Sequence, residues 1–530
     1  MRRLGAALAV SLFALMPALG PASADTPADA LVVAQNIDDI VSIDPAQAYE
    51  FSSGEYVTNT YDRLVQYDAV DTETLAPGLA TSWEVDADAK TITFTLRDGV
   101  TFHSGNPLRG EDVVGSFERV VVLNKAPAFI LTQLGWTPEN IREMVTADGN
   151  TVTVRYAGDF APSFVLNVLA ARPASVVDME TVMANAVDGD LGNAWLNRNS
   201  AGTGPFSLRA YRPAEMLALT ANEDYFAGAP AMKQVVIRHV PEAATQRLLL
   251  ESGDVDMAKN LTPDQVAGLA DDSGIDVETY PQAAVHWISF NQKVDALTDP
   301  AVWEAARWLV DYEGMASSFL DGQMEVHQAF WPAGFPGAVT DIPFSYDPEK
   351  ARAILEEAGV ELPIRVTLDV INSTPFTDMA QALQASFAPA GIEFEILPGT
   401  GAQVITRYRG RAHEAMLLYW GPDFMDPHSN AKAFAYNTNN SDDAYQSTTT
   451  WRNAWQPSDA TNAKTMAALA EPDAERRLEM YRELQREMQE VAPFVVMFQA
   501  VKQVAMADDV EGFVNGATSD FVYYRLVTKE

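Results

Sequence analysis

The chain has 530 residues, too many for one ordinary core, and its 47% hydrophobic content excludes a disordered protein, so two or three globular domains are expected. Its 36 basic residues against 73 acidic ones give a net charge of −37, which repels nucleic acid and anionic membranes and excludes both as partners. Cysteine is absent, which excludes disulfides and a lipid tether through an N-terminal cysteine; an exported form would be stabilised by core burial.

In chain order, Met1–Ala24 joins a basic start (Arg2, Arg3) to an apolar run from Leu4 to Leu19 and an Ala22-Ser23-Ala24 ending, the pattern of a cleaved secretory signal. The mature protein is expected to begin at Asp25 and to diffuse freely in the periplasm; no later run is apolar for long enough to span a bilayer. Leu31–Ala34 reads as a first strand, followed by Ile43-Asp44-Pro45-Ala46 and an aromatic-polar run from Tyr49 to Tyr56. Trp83–Val85 and Thr91–Arg97, the second alternating through Ile92, Phe94 and Leu96, flank a turn and read as a hairpin. Glu111 and Asp112 suit the first turn of a helix, where the dipole favours acids.

Val285–Phe290 and Phe494–Ala505 are two well-separated extended apolar runs. Asp347 as N-cap with Pro348 behind it starts a helix that Gly359 ends. Ile364–Val370, Phe376–Ala390, Ile392–Leu397, Ala402–Arg411 and Ala415–Trp420 then alternate strand and helix, the rhythm of a parallel sheet covered by helices. An amphipathic helix over Pro472–Glu490 places Leu478, Tyr481, Leu484 and Met488 on one face.

Ligands of such sheets sit beyond the carboxyl ends of the strands, which points to the segment leaving Ala415–Trp420. There Tyr419 and Trp420 offer flat apolar surface, Gly421 and Pro422 turn the chain, and Asp423 is placed to meet a cation or amine. A plainer reading of the same residues has Trp420 in the core, Asp423 capping a turn and Asp426 preceding a proline. No Gly-x-Ser-x-Gly elbow, Walker loop, His-Glu-x-x-His or cysteine nucleophile is present, so no enzyme is expected. Asp423, Asp426 and His428 cluster in sequence, but cation loops gather more oxygen ligands than two, so neither metal nor cofactor is expected.

Ala80-Thr81-Ser82-Trp83-Glu84, the run Thr93 to Gly105, Glu111-Asp112-Val113 and Ser116-Phe117 to Arg119 resemble the signature of the peptide/nickel family (family 5) of ABC-transporter solute-binding proteins. Gly202–Phe206, Asn222–Tyr225, Leu249–Asp256, Ser289–Asn291 and Ala305–Tyr312 resemble further landmarks in family order, so the likeness covers essentially the whole mature chain. It implies an α/β, bilobal periplasmic-binding-protein (Venus flytrap) fold with an extra inserted subdomain and two hinge crossings. Lobe I would comprise 25–60, 197–280 and 495–530, the insert 61–196 and lobe II 281–494. The partners implied are a small-molecule or short-peptide ligand and the transmembrane subunits of an ABC permease; a monomer is expected.

Peptide-binding members resemble this chain at Trp420-Gly421-Pro422-Asp423, which makes Asp423 the expected anchor of a ligand's α-amino group. Tyr49, Glu50 and Phe51 follow a landmark after which members contact ligand, and Trp136 is a candidate aromatic wall in the insert. The likeness also departs: where dipeptide-binding members carry an arginine for the ligand carboxylate, this chain has Thr377-Asp378. Asp378 leaves room for a longer peptide or a cationic ligand, while Arg452, between Trp451 and Trp455, is a candidate carboxylate clamp. Arg407, Arg409 and Arg411 are others, unless they form a solvated helix face. The expected ligand is a small amine-bearing solute, foremost a short peptide. An opine, polyamine or other cationic metabolite, an oligosaccharide and a nickel chelate stay open.

Overall fold

Two long strands, Ile275–Phe290 and Phe494–Ala507, pair antiparallel and carry the main sheet from one half of the molecule to the other. The structure is a computed structural model describing residues 26–68, 74–269, 274–444, 446, 448–516, 518 and 522–530; the expected leader Met1–Ala24 lies outside the described residues. The first long strand is half-buried or exposed up to Gln282, and from Val285 onward it is buried. Its register with the second is interrupted between Pro281 and Val285, where proline offers no N–H to the ladder.

The eleven-stranded sheet is built outward from this pair. On one side Ile275–Phe290 pairs antiparallel with Ala415–Trp420, beyond which Ile364–Ile371 and Ile392–Gly399 continue in parallel. On the other, Phe494–Ala507 pairs with Met257–Ala258, followed by Ala30–Gln35, Gln234–His239, Met216–Ala221 and Phe206–Arg212. Each half therefore carries three mutually parallel strands, Ile392–Gly399, Ile364–Ile371 and Ala415–Trp420 in one and Met257–Ala258, Ala30–Gln35 and Gln234–His239 in the other. The strand–helix alternation read from 364–420 is present, with helices Phe376–Phe387 and Gly401–Arg409 as the crossovers. Helix Pro348–Ala358 starts on the Asp347 side chain, which accepts from the Lys350 amide at 2.9 Å, and stops at Gly359, whose φ of 70° suits glycine.

A second, four-stranded sheet orders Ala80–Asp86, Thr91–Leu96, Thr151–Arg155 and Val145–Asp148, and Trp83 faces Phe94 in the expected hairpin. Helix Gly110–Leu123 covers it with Val113, Phe117 and Val120, all buried. This smaller layer packs across the cleft. Phe164 meets Phe424 edge-on at 5.6 Å, and the Ala161 amide donates to the Leu469 carbonyl at 2.8 Å.

The smaller layer is tied to the first strands by charge. Arg119 is 2% exposed and grips the fully buried Asp44 with both guanidinium nitrogens, Nη1 at 2.7 Å, while its Nε donates to the Leu191 carbonyl at 2.7 Å. Asp44 also accepts from Asn193 Nδ2 at 2.6 Å and the Ala46 amide at 3.0 Å. Removing one member of such a pair strands a charge in the interior. We expect Arg119→Met to destabilise the protein by about 3–5 kcal/mol in a denaturant titration. A loss below about 1 kcal/mol would show that the pair only offsets its own desolvation.

Candidate functional site

Strand Ala415–Trp420 ends at the cleft, and its alternation sends Leu418 to the core and leaves Tyr419 exposed. The chain then turns at Gly421 because no side chain fits: a Cβ there would stand 2.9 Å from the Ala283 carbonyl oxygen. Five residues on, Asp426 caps helix Pro427–Ala435 by accepting from the His428 amide at 2.9 Å, with Pro427 in the first helical position. Asp426 is fully buried and held by both nitrogens of Arg477, at 2.6 and 2.8 Å, and by Asn167 Nδ2 at 3.0 Å. Burial alone would raise this carboxyl; Arg477 overrides it and holds Asp426 below its ordinary range.

Asp423 hangs between that strand and that helix. Its amide donates to Ser429 Oγ at 3.0 Å, and its carboxylate accepts from the Tyr49 hydroxyl, 2.6 Å away across the cleft. Burial raises the Asp423 carboxyl above its ordinary value, against the Tyr49 bond and the positive charges of Arg172 and Arg452. Burial and the neighbouring carboxylate raise Tyr49 in turn, so it stays a proton donor.

Asp423 faces a cavity of about 510 Å³, within the range of about 300–1,000 Å³ usual for small-ligand sites. Its walls are aromatic: Tyr49 and Phe129 from one side of the cleft, Trp287, Tyr408, Tyr419 and Trp420 from the other. Arg452 lines it as well, its guanidinium 5.2 Å over the Tyr408 ring and 5.9 Å from the Trp420 ring. Arg452 is 9% exposed, its buried Nε has no hydrogen-bond partner, and burial makes its charge harder to hold.

Of the residues singled out from sequence, Asp423, Trp420, Tyr419, Gly421, Tyr49 and Arg452 come together at this cavity. Pro422, Glu50, Phe51, Asp378 and Trp136 are not among its lining residues. Glu50 stands at the start of helix Phe51–Thr60 and accepts from Ser53 Oγ at 3.3 Å; Phe51 is 64% exposed. Asp378 sits in the first turn of Phe376–Phe387, whose leading Phe376 packs on Tyr419 and His286. Trp136 is a core residue instead of a wall, stacked on Phe117 at 5.6 Å with its indole N–H on the Arg155 carbonyl. The insert supplies Phe129 and Gln133 to the cavity instead. The four-residue spacing of Phe129 and Gln133, with Leu131 and Leu134 turned to the core, is the signal that could have found them. Of the arginine run, Arg407 pairs with Asp369 and Arg411 with Asp442, while Arg409 lines the cavity.

The clustered Asp423, Asp426 and His428 are separately engaged. Asp426 is committed to Arg477, and burial pushes His428 down to about 3 while its Nδ1 sits 3.0 Å from the Tyr481 hydroxyl. Among the described residues no group of three histidines or acids is arranged to hold a metal ion.

The family model "Bacterial extracellular solute-binding proteins, family 5 Middle" matches residues 74–442. A "Probable D,D-dipeptide-binding periplasmic protein" of Escherichia coli is 29% identical over 505 residues, covering 93% of each chain. An ABC transporter-associated periplasmic binding protein of Helicobacter pylori in complex with the peptide STSA superposes with a TM-score of 0.75 at 24% identity, covering 94% of this chain and 98% of the other. A Campylobacter jejuni protein in complex with Ni(L-His) superposes at 0.74 with 19% identity, covering 95% of this chain and all of the other. At such identities the structural likeness is one of fold, and that fold is the bilobal periplasmic-binding-protein architecture expected from the sequence.

The raised Asp423 carboxyl has a measurable consequence. Folding strengthens its hold on the proton above the ordinary 3.8, so ionising it opposes folding. That penalty is absent below the ordinary value, grows as pH rises through the raised one and is complete above it. Asp423→Asn is expected to raise the melting temperature of ligand-free protein near pH 7, the gain shrinking as the solution is acidified toward about pH 4. A lower melting temperature near neutrality would mean that the Tyr49 bond to the charged form outweighs burial.

Proposed function

Because the chain belongs to the family 5 bacterial extracellular solute-binding proteins, we propose that it is the periplasmic receptor of an ABC importer, closing on a short peptide and presenting it to the permease subunits. The observation that carries this reading is the pairing, in one aromatic-walled cavity, of a carboxylate held above its ordinary range with a guanidinium whose buried Nε has no partner. A peptide brings the complement of both. Its ammonium would favour the charged form of Asp423 through a charge-assisted bond, and its carboxylate would meet Arg452. Relatives named for dipeptide binding support the ligand class, as does the match over nearly the whole chain.

In this reading lobe I (25–60, 197–280, 495–530) and lobe II (281–494) turn about the paired strands Ile275–Phe290 and Phe494–Ala507, and the insert 61–196 brings Phe129 down on the ligand. The residues then bind and orient; no bond is made or broken, and neither a cofactor nor a second subunit is required. Export through Met1–Ala24 would place the receptor in the periplasm, as in the relatives. A polyamine fits the cavity poorly, since it would bring positive charge to Arg409, Lys432 and Arg452. An oligosaccharide suits the aromatic walls but gives Asp423 nothing to neutralise.

Trp287 and Trp420 in the cavity wall make intrinsic fluorescence a direct readout of binding. For the dipeptide Ala-Ala, Asp423→Asn is expected to weaken binding at least tenfold, about 1.4 kcal/mol. The affinity ratio of Ala-Ala to its C-terminal amide should collapse in Arg452→Gln. Unchanged affinity in Asp423→Asn would remove the amine anchor, and an unchanged ratio would remove Arg452 as the acid's partner.

A further inference from the structure

A zwitterionic peptide leaves the cavity unbalanced. Asp423 is the sole carboxylate among the described residues that line it, against three cations, Arg409, Lys432 and Arg452. The excess is against the trend of the chain, which carries 73 acids to 36 bases. Position explains why these cations are unspent. Arg409 is the last residue of helix Gly401–Arg409, between Arg407 and Arg411, which pair with Asp369 and Asp442. Lys432 lies in the last turn of helix Pro427–Ala435, the helix that Asp426 caps. Neither Arg409 nor Lys432 has an acidic partner within ion-pair distance among the described residues, and both are exposed toward the space they line.

The cations lining the site also act on one another. The charge of Arg409 acts on both Tyr49 and Arg452, and disfavours the charged form of Arg452. Arg452 is the buried cation, so the nearby positive charge opposes it most, and a ligand of opposite sign would relieve that opposition. A ligand ammonium on Asp423 and an α-carboxylate on Arg452 leave Arg409 and Lys432 without counter-charge.

Building on the peptide reading, we propose that the cavity is built for a short peptide that carries an acidic side chain besides its α-carboxylate, with Arg409 and Lys432 as the groups that receive it. The two come from different helices of the same half, Gly401–Arg409 and Pro427–Ala435.

The test compares Ala-Glu with its neutral isostere Ala-Gln, and with Ala-Lys, by calorimetry at low ionic strength. Ala-Glu is expected to bind at least tenfold more tightly than Ala-Gln and Ala-Lys more weakly than both. The Ala-Glu to Ala-Gln ratio should narrow with added salt and fall to within threefold of unity in the double variant Arg409→Gln, Lys432→Gln. Because the readout is a ratio within one preparation, a general loss of stability in the variant does not imitate it. Equal affinities for Ala-Glu and Ala-Gln would overturn the acidic subsite and leave the peptide reading standing. A preference that survives the double variant would overturn the assignment to these two residues. Failure of all three peptides to bind would remove the peptide reading, and this inference with it.

Discussion

The geometry of the site depends on the buried pair of Asp426 and Arg477. Each is at most 2% exposed, and their two parallel bonds fasten the cap of helix Pro427–Ala435 to helix Ala474–Val491. The same carboxylate accepts from Asn167 of the smaller layer, so one residue joins the loop that carries Asp423, helix Ala474–Val491 and the smaller layer. A pair this deep gains little net stability over an apolar substitute, because removing both charges from water offsets much of their attraction. What it supplies is position: four bonds on one carboxylate, two of them from a single fork, admit few alternatives, and Asp423, three residues upstream, inherits that fixed frame.

Much of the fold was legible because its determinants are local. Helix Pro348–Ala358 is written in Asp347, Pro348 and Gly359, each acting on its own neighbours, and strand Ala415–Trp420 in an unbroken apolar run between a helix and a turn. The paired crossing strands were legible as apolar runs far apart in sequence, although not their register, which turns on how Pro281 interrupts the ladder. The site was legible where residue type and strand end coincide, at Trp420 and Asp423.

It was not legible where facing decides. Trp136 and Phe129 are both aromatic and seven residues apart, yet one stacks inside on Phe117 and the other meets Tyr49 at the cleft, at 6.3 Å between ring centres. Only the docking of the short helix Ala128–Thr132 distinguishes them. Likewise Arg407, Arg409 and Arg411 are equivalent as letters and differ only in which acids the fold brings near. Asp426 was legible as a residue before a proline, but its partner Arg477 lies 51 positions on, beyond any local pattern.

Tyr49 and Asp423 bond one side of the cleft to the other. The bond opposes opening, and any solute that claims the Asp423 carboxylate must first displace the Tyr49 hydroxyl, so part of its binding energy goes into breaking that contact. The strength of one tyrosine hydroxyl bond thus sets both how readily the two walls part and how much of a solute's attraction to the carboxylate is left to hold it.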